Sequence, residues 1–132
     1  MSDDKEPAPR LSKRTTRLFR MAKLAARQST ATNFKMGAVI ARGRKILGIG
    51  FNDPYKTHPR SNTPYQFVHA ELSAIINSRT NLEGASLYIH RSGQNERPLM
   101  SRPCSNCIEL LLAAGINKIF YSTNGGYSKE II

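Results

Sequence analysis

The sequence predicts an α/β protein, a three-layer α/β/α sandwich around one mixed central sheet. Three observations lead there. An apolar stripe at helical spacing opens the chain, two β-branched runs joined by a tight turn follow it, and from His69 onward helical and strand segments alternate. At 132 residues the chain can bury one hydrophobic core, not two.

Each element has a local cause. Residues 1–10 contain Asp3, Asp4, Glu6, Pro7 and Pro9 with almost nothing apolar, and read as a disordered tail before a single domain over 11–132. A helix is expected over 12–28, with Ser12 as N-cap and Leu11, Leu18, Ala22 and Ala25 along one face. Segments 37–42 and 46–51 are strand-like, and Gly43-Arg44 between them reads as a hairpin turn. A second helix begins near His69 and runs through Leu72, Ile75 and Ile76. The strand Ser86 to Ile89 follows. A third helix is expected from Pro103 to a stop at Gly115, with Leu110, Leu111 and Ala114 apolar, before a last clear strand from Ile116 to Ser122. The two helical connections imply parallel strands covered on both faces.

Composition narrows the setting. No apolar run approaches the roughly 18 residues of a membrane helix, and the N-terminus lacks the apolar core of a secretory signal. A soluble, cytoplasmic protein without a membrane partner is the expectation. Twenty Lys and Arg against nine Asp and Glu give a net charge of +11. Lys13, Arg14, Arg17, Arg20, Lys23 and Arg27 crowd the first helix, a density that suits contact with a nucleic-acid backbone. A solvated helix face is the plainer alternative.

Two motifs carry the chemistry: His69-Ala70-Glu71, and Pro103-Cys104-Ser105-Asn106-Cys107. Together they offer one imidazole and two thiolates to a metal, plus a carboxylate that need not bind it. Three such donors leave a tetrahedral zinc ion one position short, the arrangement of catalytic rather than structural sites. A Cys104–Cys107 disulfide is the redox alternative, but it gives His69 and Glu71 no role.

With these motifs the chain resembles the zinc-dependent cytidine and deoxycytidylate deaminase superfamily, which also holds tRNA adenosine deaminases and polynucleotide cytosine deaminases. The resemblance covers roughly residues 14–122 and includes Ala22 to Ala26, Met36 to Ile40 and the turn Gly50-Phe51-Asn52. It implies a cytidine-deaminase-like fold, a zinc cofactor held by His69, Cys104 and Cys107, and Glu71 as the catalytic proton carrier. The implied reaction is hydrolytic deamination of a cytosine nucleotide, dCMP to dUMP and ammonia. His69 favours the deoxycytidylate branch, because free cytidine deaminases usually have cysteine there.

Other implications are looser. Asn52 matches a sugar contact, Ala70 and Pro103 would receive the edge of the base, and Arg60 and Arg102 are phosphate candidates. Tyr121 lies where open α/β sheets place ligands, with core or edge packing the equal alternative. His58, His90, Tyr65 and Phe67 are candidates with equally plain structural roles. The resemblance also implies a homo-oligomer. Deamination of a base within single-stranded DNA or RNA, including tRNA-adenosine-deaminase-like activity, is the competing reaction, and an inactive zinc-containing nucleic-acid-binding module is the non-enzymatic alternative.

Two departures are visible. The stretch Arg91 to Arg102 exceeds the usual spacing and reads as a turn or hairpin extension at the pocket rim. Beyond Ser122 only about ten residues remain, so the family's C-terminal end reads as truncated or reduced to Tyr127–Ile132. Residues 54–65 read as a substrate loop.

Overall fold

A computed structural model describes residues 11–32, 34–53 and 69–132. The expected tail, the loop 54–65 and the candidates His58, Arg60, Tyr65 and Phe67 lie outside the described residues. The elements are α1 (Lys13–Ala26), β1 (Lys35–Arg42), β2 (Lys45–Phe51), α2 (Ala70–Ser78), β3 (Ser86–Ser92), β4 (Pro98–Leu99), α3 (Ser105–Ala113), β5 (Lys118–Thr123) and β6 (Gly126–Ile131).

The helix starts follow their caps. Ser12 caps α1 as expected, its hydroxyl accepting from the Thr15 N–H at 3.1 Å. The third helix starts later than expected, at Ser105 rather than Pro103. Cys104 holds extended backbone angles, φ −71° and ψ 168°, and so occupies the N-cap itself.

The strand order is β2-β1-β3-β5-β6, with β4 paired to β3. β1 runs antiparallel to both β2 and β3, β3 parallel to β5, and β5 antiparallel to β6. β2 and β3 therefore point the same way on either side of β1. The α2 connection is a parallel crossover that skips one strand, while α3 lies between β3 and its neighbour β5. Both expected parallel connections hold, and the hairpins make the sheet mixed.

The two-residue period of the strands sorts the core onto two faces. Ala38, Ile40, Leu87, Ile89 and Ile119 pack with Ala74, Ile75 and Leu111 of α2 and α3. Val39, Ala41 and Tyr88 pack with Leu18, Phe19 and Ala22 of α1. Three layers result. Both helix layers come unusually close to the sheet at glycines: a Cβ on Gly37 would lie 2.0 Å from the Ala22 carbonyl oxygen, and one on Gly50 2.3 Å from the Ala74 nitrogen. Any larger residue at Gly50 would push α2 outward.

The stretch 91–102 forms the expected hairpin extension. β3 continues to Ser92, the chain turns through Gln94–Glu96, and β4 pairs back through Arg91 with Leu99 and Ser92 with Pro98. The C-terminal residues make β6, a strand along one side of β5. No helix among the described residues is long and apolar enough to cross a membrane.

Candidate active site

The N-termini of α2 and α3 meet on one face of the sheet. His69 is the N-cap of α2, Cys104 the N-cap of α3, and Cys107 lies in the first turn of α3. His69 Nδ1 is 3.2 Å from Cys107 Sγ, and the donor atoms of His69, Cys104 and Cys107 all lie within 4.8 Å of one another. Zinc–donor bonds of about 2.0–2.3 Å in a tetrahedron place donors roughly 3.5–3.8 Å apart, so the three need only a small closure to fit. Neither cysteine is in a disulfide.

The electrostatics match that fit. Burial, with Glu71 and Cys104 adding to it, pushes the buried Cys107 thiol far above its ordinary range. A thiolate there requires a cation beside it, which a divalent metal supplies. Burial also lowers the His69 pKa, favouring the neutral imidazole that a metal ligand must be.

Glu71 is the second residue of α2 and only 3% exposed. Burial raises its carboxyl to about 7, opposed by hydrogen bonds to its own backbone and to the Cys107 thiol. A carboxyl poised near neutrality can both accept and return a proton.

Above these groups opens a cavity of about 570 Å³, within the range of small-molecule sites. Its walls combine His69, Glu71 and Cys104 with Ala31, Phe34, Met36, Asn52, Ala70, Arg91, Met100, Ser101 and Arg102. A larger hollow of about 740 Å³, at the far end of α2 around Arg79 and Leu82, contains none of the metal-type donors.

The family model for the "cytidine and deoxycytidylate deaminase zinc-binding region" matches residues 12–123. The chain belongs to this deaminase family. Zinc is its cofactor, and the His69, Cys104 and Cys107 cluster is the group that could hold it. An uncharacterized deaminase of Aliivibrio fischeri is 29% identical over 117 residues, covering 83% of this chain and 73% of its relative. Deoxycytidylate deaminase of Mus musculus is 28% identical over 125 residues, covering 83% of this chain and 65% of the mouse protein. The chain thus spans just under two thirds of the mouse enzyme's length. A crystal structure of the dCMP deaminase from cyanophage S-TIM5 has the same fold, with a TM-score of 0.63 at 21% identity over 83% of this chain and 82% of the other.

In this deaminase-family chain the expected site residues are distributed unevenly. Asn52, Ala70 and Arg102 line the cavity with Glu71. Pro103 is buried directly before Cys104 and does not line it. Tyr121 packs into the core with Leu111 and Ile119 instead of facing the cavity, because it follows the inward alternation of β5. His90 is fully buried on the α1 side, near Tyr127, also away from the cavity. Arg102 donates to Glu130 of β6 at 2.8 Å.

Asn52 is engaged on both sides of its amide. Its Oδ1 accepts from the Met36 N–H at 2.9 Å and from the Ser29 hydroxyl at 2.6 Å, and its Nδ2 donates to the Phe34 carbonyl at 2.6 Å. It therefore clamps the approach to β1 as well as lining the cavity. Phe34, Met36, Arg91, Met100 and Ser101 were not singled out as site residues by their sequence context. For Arg91 a signal existed: strand alternation puts it on the face shared by Leu87 and Ile89, one step past the core.

Proposed function

We propose that this chain catalyses the hydrolytic deamination of a cytosine nucleotide, dCMP plus water giving dUMP plus ammonia. The observation that carries the reading is the buried Glu71 carboxyl beside the three donors but outside their set, on the wall of a cavity of nucleotide size. A zinc-binding module without catalysis would have no use for a carboxyl kept there at the cost of its burial.

Bound zinc supplies the Lewis acidity that makes water a nucleophile near neutral pH. Glu71 takes the proton of that water on a carboxylate oxygen and delivers it to the ring nitrogen beside the reacting carbon. A second transfer through the same carboxyl protonates the departing amine. Ala70, Met36 and Met100 form apolar wall around this exchange and limit competing water.

The free-nucleotide substrate is supported by the naming of curated relatives and by the position of the basic helix. α1 covers the opposite face of the sheet from α2 and α3, so the exposed Lys13, Arg14, Arg17 and Arg20 do not line the catalytic cavity. The same exposed cations support a second reading, in which the base is presented by single-stranded DNA or RNA. The proposal extends to a homo-oligomer, supported by the exposed apolar side chains Leu24, Ile49, Leu112 and Ile131, and to the reducing cytoplasm, where metal-binding thiols persist.

The test is a mass-spectrometric assay of the zinc-loaded protein with dCMP and a cytosine-containing oligonucleotide in one vessel, with Glu71→Ala as control. Formation of dUMP by the parent protein and none by the variant is expected. Uracil appearing only in the oligonucleotide would favour the second reading. Silence on both would defeat the proposed reaction.

A further inference from the structure

Two arginines, Arg91 and Arg102, line the catalytic cavity, and they differ in what holds them. The Arg102 guanidinium is paired with Glu130, and its side chain is 46% exposed. Arg91 is half-buried, and among the described residues its Nε, buried in the wall, has no hydrogen-bond partner. An arginine is always charged and carries five donors and no acceptor. A guanidinium on the wall of a cavity, with no acidic partner among the described residues, is a site prepared for an anion.

The mounting of Arg91 is rigid. Its backbone pairs with Met36 of β1 on one side and Leu99 of β4 on the other, and its N–H donates to the Ser122 hydroxyl at 3.0 Å. Its guanidinium carbon stands 4.5 Å from the centroid of the Phe34 ring. Phe34 is in turn held by the Asn52 clamp through its carbonyl. A cation–π contact of this kind uses the face of the guanidinium and is compatible with a bidentate oxyanion on its in-plane N–H fork. Glu71 is the only acid among the described residues that line the cavity, and it belongs to the reacting end of the site.

We infer that Arg91, placed over the Phe34 ring on the wall of the catalytic cavity, binds the phosphate of the substrate and makes this site select a nucleoside monophosphate over the free nucleoside. The inference rests on the proposed cytosine deamination for its choice of ligand. It also gives a role to the extension of the chain between Tyr88 and Pro103: β4 flanks Arg91 and closes the strand edge on which it sits.

Binding and turnover together test it. In the zinc-loaded Glu71→Ala background, calorimetric affinities for dCMP and deoxycytidine are compared with and without Arg91→Ala, and with Arg91→Lys, which keeps the charge but loses the fork. The preference for dCMP over deoxycytidine is expected to fall roughly a hundredfold in Arg91→Ala, as two charge-assisted hydrogen bonds warrant, and by less in Arg91→Lys. In otherwise intact enzyme the same loss should appear mainly in KM for dCMP. An unchanged preference, or an equal loss for both ligands, would overturn the inference, and Arg91→Lys carries the test alone if Arg91→Ala does not fold. Selective binding of dCMP without its turnover by the parent protein would uphold the phosphate site and defeat only the proposed reaction.

Discussion

His69, Cys104 and Cys107 come from two helix starts and need nothing but the mutual approach of α2 and α3 to lie within 4.8 Å. Ser29 and Phe34, Asn52, and Arg91 come from three separate stretches of chain and meet only because β1, β2 and β3 pair in one register. The donor side is specified by residue identity at short spacing. The rim side is specified by register, so its residues are chemically replaceable one at a time yet geometrically dependent on the whole sheet.

Breaking the donor side should have the largest effects. Glu71→Ala is expected to lower kcat for dCMP by about 10⁴-fold or more while zinc content stays at about one per chain, since the carboxyl moves protons and is not among the donors. Retained turnover in that variant would remove Glu71 from the mechanism. Cys107→Ser should lose both, with zinc measured by elemental analysis falling well below one per chain and activity falling with it. A variant holding its full zinc would show that His69 and Cys104 suffice.

The face of the sheet opposite the donors offers a pH test. His90 is fully buried, and burial, with Lys23 assisting and Glu96 opposing, lowers its pKa to about 4. The unfolded chain takes up a proton near pH 6.5 that the folded chain refuses until about pH 4. Stability from this group is therefore complete above pH 6.5 and lost as pH falls toward 4, by about 3 kcal/mol. Glu71 titrates in the opposite sense, its raised carboxyl favouring the fold at low pH, so urea midpoints are best compared in a Glu71→Gln background. His90→Leu should flatten the acid limb, and an unaltered slope would dismiss His90 as its source.

On the rim, Asn52→Ala removes three hydrogen bonds and should cost about 2 kcal/mol in urea unfolding. Its sharper consequence is for Arg91: with Phe34 released, discrimination between dCMP and deoxycytidine should weaken although Arg91 is intact. Preserved discrimination would mean that the stacking platform does not depend on the clamp. The smallest effect belongs to α1, where Arg17→Glu with Arg20→Glu should shift stability by less than about 1 kcal/mol. The pair should weaken oligonucleotide binding at low salt without altering dCMP turnover. A fall in dCMP turnover would connect the basic helix to the catalytic cavity after all.

The same contrast explains which parts of the molecule are legible in its sequence. The donors and Glu71 were legible because their spacing is short and their chemistry narrow, and α1 and the β1–β2 hairpin because a cap, an apolar stripe and a glycine turn are local signals. For Arg91 only its face was legible, from strand alternation, since its contact with Phe34 joins positions 57 apart in the numbering. Tyr121 was undecided for a related reason: nearness to a strand end suits a ligand or core packing equally, and alternation on β5 turns its ring into the core. Pro103 suggested a helix start two residues early because proline commonly opens helices, while here the cap falls to Cys104.

The hairpin from Arg91 to Leu99 leaves the sheet after β3 has already crossed the core, and residues 94–97 of its turn are outside both buried clusters. An insertion or deletion there displaces no core side chain. Its tether to α1 is the exposed Arg27–Glu96 pair, a contact of small energetic weight. The turn can therefore change length without disturbing the donor helices, and what such a change reaches is the strand pair that flanks Arg91.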